Sequence, residues 1–315
     1  MDKNSVLSGL FGLCIGDALG VPVEFKSRDL IKKSPVTDML GFGTHNQPVG
    51  TWSDDSSLSF CLADSLCNGY NLVDIADKFS KWFFQNYWTP HNKVFDIGIT
   101  TRNAIYKIRE GIPPLQCGEK SERSNGNGSL MRILPLVYHL YNKEEKEIFQ
   151  KVSEVSSITH SHPRSIIACF IYIQIALQIL KFKDKKPKTK LCEDGILNSI
   201  NFIIKNNYFV DELQHFKRIS NNIKKLNENE ILSGGYVIHT LEASLWCFIN
   251  YNCYEEIVLK AVNLGDDTDT TATVAGGIAG LYYGINDIPK KWIDNIAKKD
   301  EIIKLCNRIA EISLD

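Results

Sequence analysis

The residues with the clearest capacity for chemistry are three aspartates within four positions, in the stretch GDDTDTTATVAGG at residues 265–277. They are Asp266, Asp267 and Asp269, and small apolar residues follow them almost at once. Two carboxylates about 5 Å apart repel each other by roughly 3 kcal/mol at an effective dielectric constant of 20. Because the apolar segment predicts a partly buried helix start, these acids must either take up protons or bind cations.

A second acidic cluster of the same form lies in GTWSDDSSLS at residues 50–59, where Ser53 precedes Asp54 and Asp55. Helix capping by Asp, Ser and Thr side chains is the simpler interpretation, and it accounts for one or two aspartates of such a cluster. The alternative is that the two clusters meet in space and bind two hard divalent cations, Mg²⁺ or Mn²⁺. Spacing alone favours neither interpretation.

A third acidic element is GDALGVPVEF at residues 16–25, in which Asp17 and Glu24 flank a Gly/Pro turn after the first apolar segment. A glutamate on such a loop could act as a general base or contact a cation. A solvated surface carboxylate is the plainer interpretation of Glu24, and a single residue does not decide between them.

A glycine-rich stretch, SNGNGSLMRILPL, precedes a predicted helix and contains Asn125, Gly126, Asn127, Gly128 and Ser129. Backbone amides that lead into a helix start can bind a phosphate, although NGNG also forms ordinary turns. His160 in SITHSHPRS could reach a pocket, but a structural role is the alternative. Four other histidines show no metal-ligand spacing with one another: His45, His91, His139 and His239.

Apolar residues spaced three or four apart indicate that helices position these groups. The pattern predicts an all-α fold of a dozen or more helices, with stripes at residues 56–67, 72–88, 96–110, 129–142, 145–158, 164–181, 195–206, 236–250, 254–264 and 269–283. Three segments lack the pattern and are expected to be loops: 25–52, 111–128 and 182–194. The apolar N-terminal stretch resembles part of a signal peptide, but its glycines and direct continuation into GDALG favour a first core helix.

The composition argues against several classes of protein. A net charge of −1 over 315 residues provides no overall basic field to attract nucleic acid or an acidic membrane, which argues against such partners. Nine scattered cysteines without C-x-x-C spacing indicate reduced thiols in a cytoplasmic protein, not a zinc site. No apolar run is expected to approach the roughly 20 residues needed to span a bilayer.

In combination, these segments resemble the ADP-ribosylglycohydrolase family. The matching stretches occur in the family's order between residues 8 and 284: GLCIGDALGVPVEF, GTWSDDSSLSFCLADSL, NGNGSLMRILPL, SITHSHPRS, SGGYVIHTLEASLWCF and GDDTDTTATVAGGIAGLYYG. The resemblance implies one compact all-α domain over residues 1–315, with two Mg²⁺ ions, replaceable by Mn²⁺, at the bottom of a cleft. It also implies hydrolysis of the bond at C1 of the distal ribose of ADP-ribose.

The resemblance assigns roles to individual residues. The metal ligands match Ser53, Asp54, Asp55, Asp267, Asp269 and Thr270. The catalytic candidates are Glu24, Asp54, Asp55 and Asp269. The substrate-binding candidates are Asn125, Gly126, Asn127, Gly128, Ser129, His160 and Tyr236.

Two departures from the family pattern affect the acidic motifs. Serines at positions 53 and 56 replace the usual threonines, and a serine oxygen can still bind a metal. Asp266 replaces a usual glycine, and it could alter metal preference or point away from the site. No type of ligand is lost, which argues against an inactive relative.

The expected substrate is a protein that carries ADP-ribose on arginine, with ADP-ribose as the product and the enzyme acting as a monomer. Another linkage (serine, a nucleic-acid base or a small molecule) and a non-catalytic ADP-ribose-binding relative are the alternatives. The loops at residues 25–52 and 111–128 are expected to set this specificity.

Overall fold

The computed structural model describes residues 3–221 and 223–312. Within them the protein has sixteen α-helices, no β-strand and three isolated β-bridges, which confirms the all-α prediction. The helices are α1 Lys3–Gly20, α2 Arg28–Lys33, α3 Asp54–Leu66, α4 Leu72–Gln85, α5 Ile99–Arg109, α6 Pro114–Cys117, α7 Leu136–Leu140, α8 Glu145–Ser157, α9 Pro163–Phe182, α10 Lys188–Lys205, α11 Lys217–Ser220, α12 Val237–Asn250, α13 Tyr254–Asn263, α14 Thr268–Tyr283, α15 Lys290–Asn295 and α16 Lys299–Ile312. Short 3₁₀ helices lie at Val21–Val23, Gly43–His45, Glu122–Ser124, Val210–Phe216, Ile223–Lys225, Glu228–Glu230 and Ile285–Asp287.

Two helices, α1 and α14, pack backbone against backbone at the centre of the fold. A methyl group added at Gly16 would lie 2.1 Å from the Ala272 carbonyl oxygen, and one at Gly20 would lie 2.3 Å from the Asp269 Cα atom. Only glycine permits so close an approach. This contact places the C-terminal end of α1 against the first turn of α14, where both segments carry acids.

Apolar side chains from most of the helices form one buried cluster that extends from Val6 to Ala310. Its largest fully buried rings include Trp52, Trp82 and Trp292. All nine cysteines are free and seven are buried, in agreement with the predicted thiols.

Two helical segments are long and apolar enough to span a bilayer, which corrects the expectation that no apolar run approaches that length. They are Lys3–Val23 and Pro163–Phe182, each with a mean hydropathy of 1.8. Most of each apolar stretch is buried within the protein, 94% of the first and 78% of the second. The N-terminal segment is therefore a core helix in this fold, as predicted.

The two largest errors in the predicted helix boundaries have local causes, and the short helices α2 and α6 lie within the segments 25–52 and 111–128 that were expected to be loops. The helix expected at residues 129–142 is confined to α7, because residues 129–135 form consecutive turns and Pro135 offers no amide hydrogen. The loop expected at 182–194 is shorter, since α10 already begins at Lys188. Leu191 and Cys192 are buried on that helix, and Lys190 pairs with Asp194 one turn later.

The buried carboxylate of Asp64 on α3 joins three parts of the fold. It accepts hydrogen bonds from Lys78 Nζ at 2.8 Å, Tyr87 Oη at 2.6 Å and Arg308 Nη1 at 2.6 Å. Replacement by alanine leaves these donors without their acceptor, so Asp64→Ala should lower the free energy of unfolding by about 3 kcal/mol in urea titration.

The matched control for this prediction is Asp77→Ala. Asp77 pairs with Lys81 at 2.7 Å, but the two side chains are 51% and 43% exposed. An exposed pair of this kind contributes less than about 1 kcal/mol. Equal losses in the two variants would contradict a structural role for Asp64.

Candidate active site

The two acidic helix starts, more than 200 residues apart in the sequence, meet in space. Thr270 Oγ1 on α14 donates a hydrogen bond to Asp55 Oδ1 on α3 at 3.5 Å. Glu24, Asp267 and Asp269 each offer one carboxylate oxygen within 4.8 Å of the others. The acids of three separate sequence motifs therefore surround one location.

Asp17 at the end of α1 fixes the first turn of α3. Its buried carboxylate accepts hydrogen bonds from the Ser53 amide at 2.9 Å, the Ser56 amide at 3.0 Å and the Ser56 hydroxyl at 2.6 Å. Ser53 Oγ accepts from the Asp55 amide at 3.2 Å. Three amides at this helix start are thus bound by the side chains of Asp17 and Ser53, so capping does not account for the carboxylates of Asp54 and Asp55.

Two carboxylate oxygens in this cluster, Asp55 Oδ2 and Asp267 Oδ1, are buried without a hydrogen-bond partner. Asp267 Oδ2 accepts from Asn127 Nδ2 at 2.8 Å, and Asp267 makes no capping bond to α14. Burial without a partner is costly for a carboxylate. Hard divalent cations bind carboxylate and hydroxyl oxygens, so the unpartnered atoms and their neighbours fit such an ion.

The buried acids favour their protonated forms in the absence of cations. Burial raises the pKa of Asp267, and burial together with the charges of neighbouring carboxylates raises the pKa of Asp54, Asp55 and Asp269 well above the usual value. Burial likewise raises the pKa of Asp17 to about 6, although hydrogen bonds from Ser56 and Ser53 oppose the change.

Glu24 extends the cluster toward the loop at residues 25–52. Its Oε2 atom lies 2.5 Å from His45 Nε2, and the carboxylate of Asp96 lies within 4.8 Å of both groups. Burial raises the pKa of Glu24 to about 7, and the hydrogen bond with His45 opposes that shift. Sequence reasoning missed His45 and Asp96, because each is the only residue of its type in its segment and the folded loops alone bring them to Glu24.

A cavity of about 370 Å³ opens beside the acids. Four of the predicted substrate-binding residues line it: Gly126, Asn127, Gly128 and His160. A methyl group at Gly128 would lie 2.8 Å from His160 Cε1, so glycine is required there for the ring to reach the cavity. Sequence reasoning did not identify the other contributors to the wall: Phe25, Asp96, Ile97, Gly98, Ile99, Thr100, Thr101, Arg123, Met131 and Gly235.

The imidazole of His160 is neutral in this setting. Burial, with a smaller contribution from the charge of Arg132, lowers the pKa of His160 to about 3. Nδ1 of the ring is hydrogen bonded to Thr159 Oγ1 at 2.7 Å. His160 can therefore offer the cavity a polar ring atom but no positive charge.

Three predicted substrate-binding residues lie outside the described cavity wall. Asn125 accepts from Ser165 Oγ at 3.1 Å, and Ser129 accepts from Ser156 Oγ at 3.0 Å. Tyr236 precedes α12 and packs edge-on against His239. None of the three residues lines the described cavity, so direct substrate binding by them stays a prediction.

A family model described as ADP-ribosylglycohydrolase matches residues 2–314. The chain belongs to this family. Its members are hydrolases that act on glycosidic bonds, and the chain is accordingly an ADP-ribosyl glycohydrolase.

Relatives and a solved structure agree with this identification over nearly the whole chain. ADP-ribosylarginine hydrolase Tri1 of Pseudomonas putida is 30% identical over 95% of this chain and 76% of its own length. Tri1 of Serratia proteamaculans is 33% identical over 95% of this chain and 77% of its own. A solved chain of an ADP-ribosylglycohydrolase-related protein complex superposes with a TM-score of 0.80 at 28% identity, covering 99% of this chain and 98% of that one.

The structure accounts for the aspartate that stands where the resemblance expects a glycine. Asp266 has φ +60°, a left-handed conformation that glycine adopts freely and aspartate tolerates. Its side chain is exposed and is absent from the cavity wall. Its backbone accepts from the Phe25 amide at 2.7 Å and donates to the Lys26 carbonyl at 2.8 Å, which fastens the Glu24 loop to the start of α14.

Because of this geometry, the stability of the protein should depend on the backbone conformation that residue 266 can adopt and not on the charge of its side chain. Asp266→Gly should change the free energy of unfolding by less than about 1 kcal/mol, whereas Asp266→Val should lower it by about 1–2 kcal/mol. Urea titration of the three proteins measures both effects. A large loss of stability in the glycine variant would show that the carboxylate itself is needed.

Proposed function

We propose that this ADP-ribosyl glycohydrolase removes ADP-ribose from arginine side chains of proteins in a reaction that depends on two Mg²⁺ ions, replaceable by Mn²⁺. The ligands would be Ser53, Asp54, Asp55, Asp267, Asp269 and Thr270, and the products would be free ADP-ribose and unmodified arginine. The monomer is proposed as the active form in a cytoplasmic setting, with which nine free cysteines agree.

The observation that carries the metal proposal is the pair of buried, unpartnered oxygens on Asp55 and Asp267. They belong to helix starts that converge from opposite ends of the sequence, and only cations or protons offset so much buried negative charge. The Asp17 carboxylate binds backbone amides at the start of α3, which leaves the carboxylates of Asp54 and Asp55 available as ligands.

The arginine linkage is supported by the relatives. Both Tri1 proteins bear the name ADP-ribosylarginine hydrolase, and each aligns with 95% of this chain. The loops at residues 25–52 and 111–128, which are expected to set this specificity, contribute Phe25 and Arg123 to the cavity wall.

Proton transfer is assigned to Glu24. The chemistry that bound cations would supply is a lowered pKa for an attacking water and neutralisation of charge that develops on oxygen. Glu24 lines the cavity, and one of its carboxylate oxygens lies within 4.8 Å of carboxylate oxygens of Asp267 and Asp269. A general acid or base must lie in such a position, beside the proposed metal ligands and open to the substrate. The contact with His45 at 2.5 Å orients that carboxylate. Asp54 and Asp55 are the alternative proton acceptors, and Asp269 remains the fourth catalytic candidate.

The glycine loop and His160 are assigned to substrate positioning. The amides of Gly126 and Gly128 form no hydrogen bond within the described chain, so they can donate to the diphosphate. Neutral His160 adds a polar atom beside them without placing a charge in the cavity. Orientation of the substrate by these groups would contribute a large part of the rate.

The experiment that tests the proposal is release of ADP-ribose from an arginine-ADP-ribosylated protein, with Mg²⁺, with Mn²⁺ and with EDTA. Release that requires either cation supports both the linkage and the metal. Metal-dependent release only from a serine-linked or base-linked substrate would show that the enzyme cleaves that linkage and not the arginine linkage. Metal-dependent binding of ADP-ribose without release from any substrate would identify a non-catalytic binder and overturn the proposed hydrolysis.

A further inference from the structure

The charges around the cavity are unevenly distributed. Five acidic residues line it: Glu24, Asp54, Asp55, Asp96 and Asp267. Arg123 is the single lysine or arginine in the described wall, and the pKa of His160 is too low for that ring to carry charge. A ligand with two negative phosphates would meet one cationic side chain of the protein in this cavity.

Arg123 lies on the 3₁₀ helix Glu122–Ser124, and the side chains on either side of it are paired. Ser121 Oγ and Ser124 Oγ are 2.8 Å apart, and Asn125 Nδ2 donates to the Glu122 carbonyl at 3.0 Å. The Glu122 side chain forms an ion pair with Arg164 at 3.4 Å.

The guanidinium of Arg123 itself has no partner. It is exposed and forms no hydrogen bond or ion pair within the described chain, not even with the five acids of the cavity. The turn is therefore fixed by its neighbours, and one unpaired guanidinium is held at the cavity wall three residues before Gly126.

We propose that Arg123 is the residue that binds the diphosphate of the ADP-ribose unit and so determines the preference for nucleoside diphosphates over uncharged nucleosides. The inference rests on the proposed function and deepens it. A guanidinium presents planar donors that match phosphate oxygens two at a time. The unpaired amides of Gly126 and Gly128 would donate to the same diphosphate from the adjacent loop. Cations held by the aspartates would neutralise the negative charge of the carboxylates, whereas Arg123 would neutralise negative charge on the diphosphate.

The test is isothermal titration of Mg²⁺-loaded protein with ADP-ribose and, separately, with adenosine. Arg123→Gln should weaken ADP-ribose binding about 10- to 100-fold, as expected for loss of charge-assisted hydrogen bonds, and leave adenosine binding within about twofold. The affinity of Arg123→Lys for ADP-ribose should lie between those of the wild type and Arg123→Gln, because lysine keeps the charge but cannot donate two parallel hydrogen bonds. In hydrolysis, KM should rise more than kcat falls.

The matched control is Arg102→Gln, since Arg102 is an exposed arginine on α5 that does not line the cavity. It should bind both ligands as the wild type does. ADP-ribose binding by Arg123→Gln equal to wild type, or equal losses for ADP-ribose and adenosine, would overturn the assignment of Arg123 while the proposed function stands. A wild-type protein that neither binds nor releases ADP-ribose would overturn both.

Discussion

Asp267→Asn is expected to reduce kcat/KM for ADP-ribose release by at least about 10³-fold while the helical fold is retained. The substitution keeps the shape of the side chain and an oxygen that can accept from Asn127 Nδ2. It removes the charge of an acid whose Oδ1 atom is buried without a partner. Because that charge is unfavourable without a cation, the metal-free variant should be at least as stable as the metal-free wild type. Steady-state kinetics and urea titration in EDTA measure the two effects.

The control is Asp266→Asn, one position earlier. It removes the same charge from an exposed side chain, and asparagine tolerates the left-handed conformation at φ +60°. This variant should retain turnover within about threefold of wild type, as surface substitutions generally have small effects. Turnover of Asp267→Asn within the same range would exclude Asp267 from the metal site.

The stabilisation conferred by Mg²⁺ is expected to increase as pH rises from about 5 to about 8. Unfolded carboxyls titrate near pH 4, whereas burial raises the pKa of Asp17 to about 6 and that of Glu24 to about 7. In this range the metal-free folded state binds more protons than the unfolded state, so its free energy of unfolding falls with rising pH, by about 1.4 kcal/mol per pH unit for each such proton. The positive charge of bound cations lowers the pKa of these neighbouring carboxyls, so they release their protons and the loss disappears.

The measurement is the difference in melting temperature between Mg²⁺ and EDTA at each pH. Histidines whose pKa burial lowers, among them His139 and His160, act in the opposite direction. The pKa of His160 is about 3, so this ring stays neutral across the range with or without metal, and His139 lies outside the cavity wall. The contribution of these two histidines therefore cancels in the difference. Asp267→Asn is the control and should show little stabilisation at any pH. A difference that stays constant or shrinks toward pH 8 would contradict cation binding by the buried acids.

Helix boundaries show where local pattern was sufficient and where it was not. α3, α8, α12 and α14 begin and end within about two residues of prediction, because capping residues and apolar periodicity are local properties. α7 is far shorter than predicted, since the seven residues before it pack as consecutive turns although their apolar spacing is helical. Apolar periodicity indicates which residues are buried. A series of buried turns can show the same apolar spacing as a helix.

By itself, the sequence determined the all-α class, the two acidic helix starts and the glycine loop, because each depends on neighbouring residues. It also carried the resemblance to the ADP-ribosylglycohydrolase family. Only the tertiary structure decided that the acidic starts meet, that Asp17 binds the first turn of α3, and that His45 and Asp96 join Glu24. It also decided that Gly126–Gly128 line the cavity, whereas the side chains of Asn125 and Ser129 form hydrogen bonds with Ser165 and Ser156. The physical reason is that side-chain direction, burial and pKa depend on segments far apart in the chain, which come together only when the core packs.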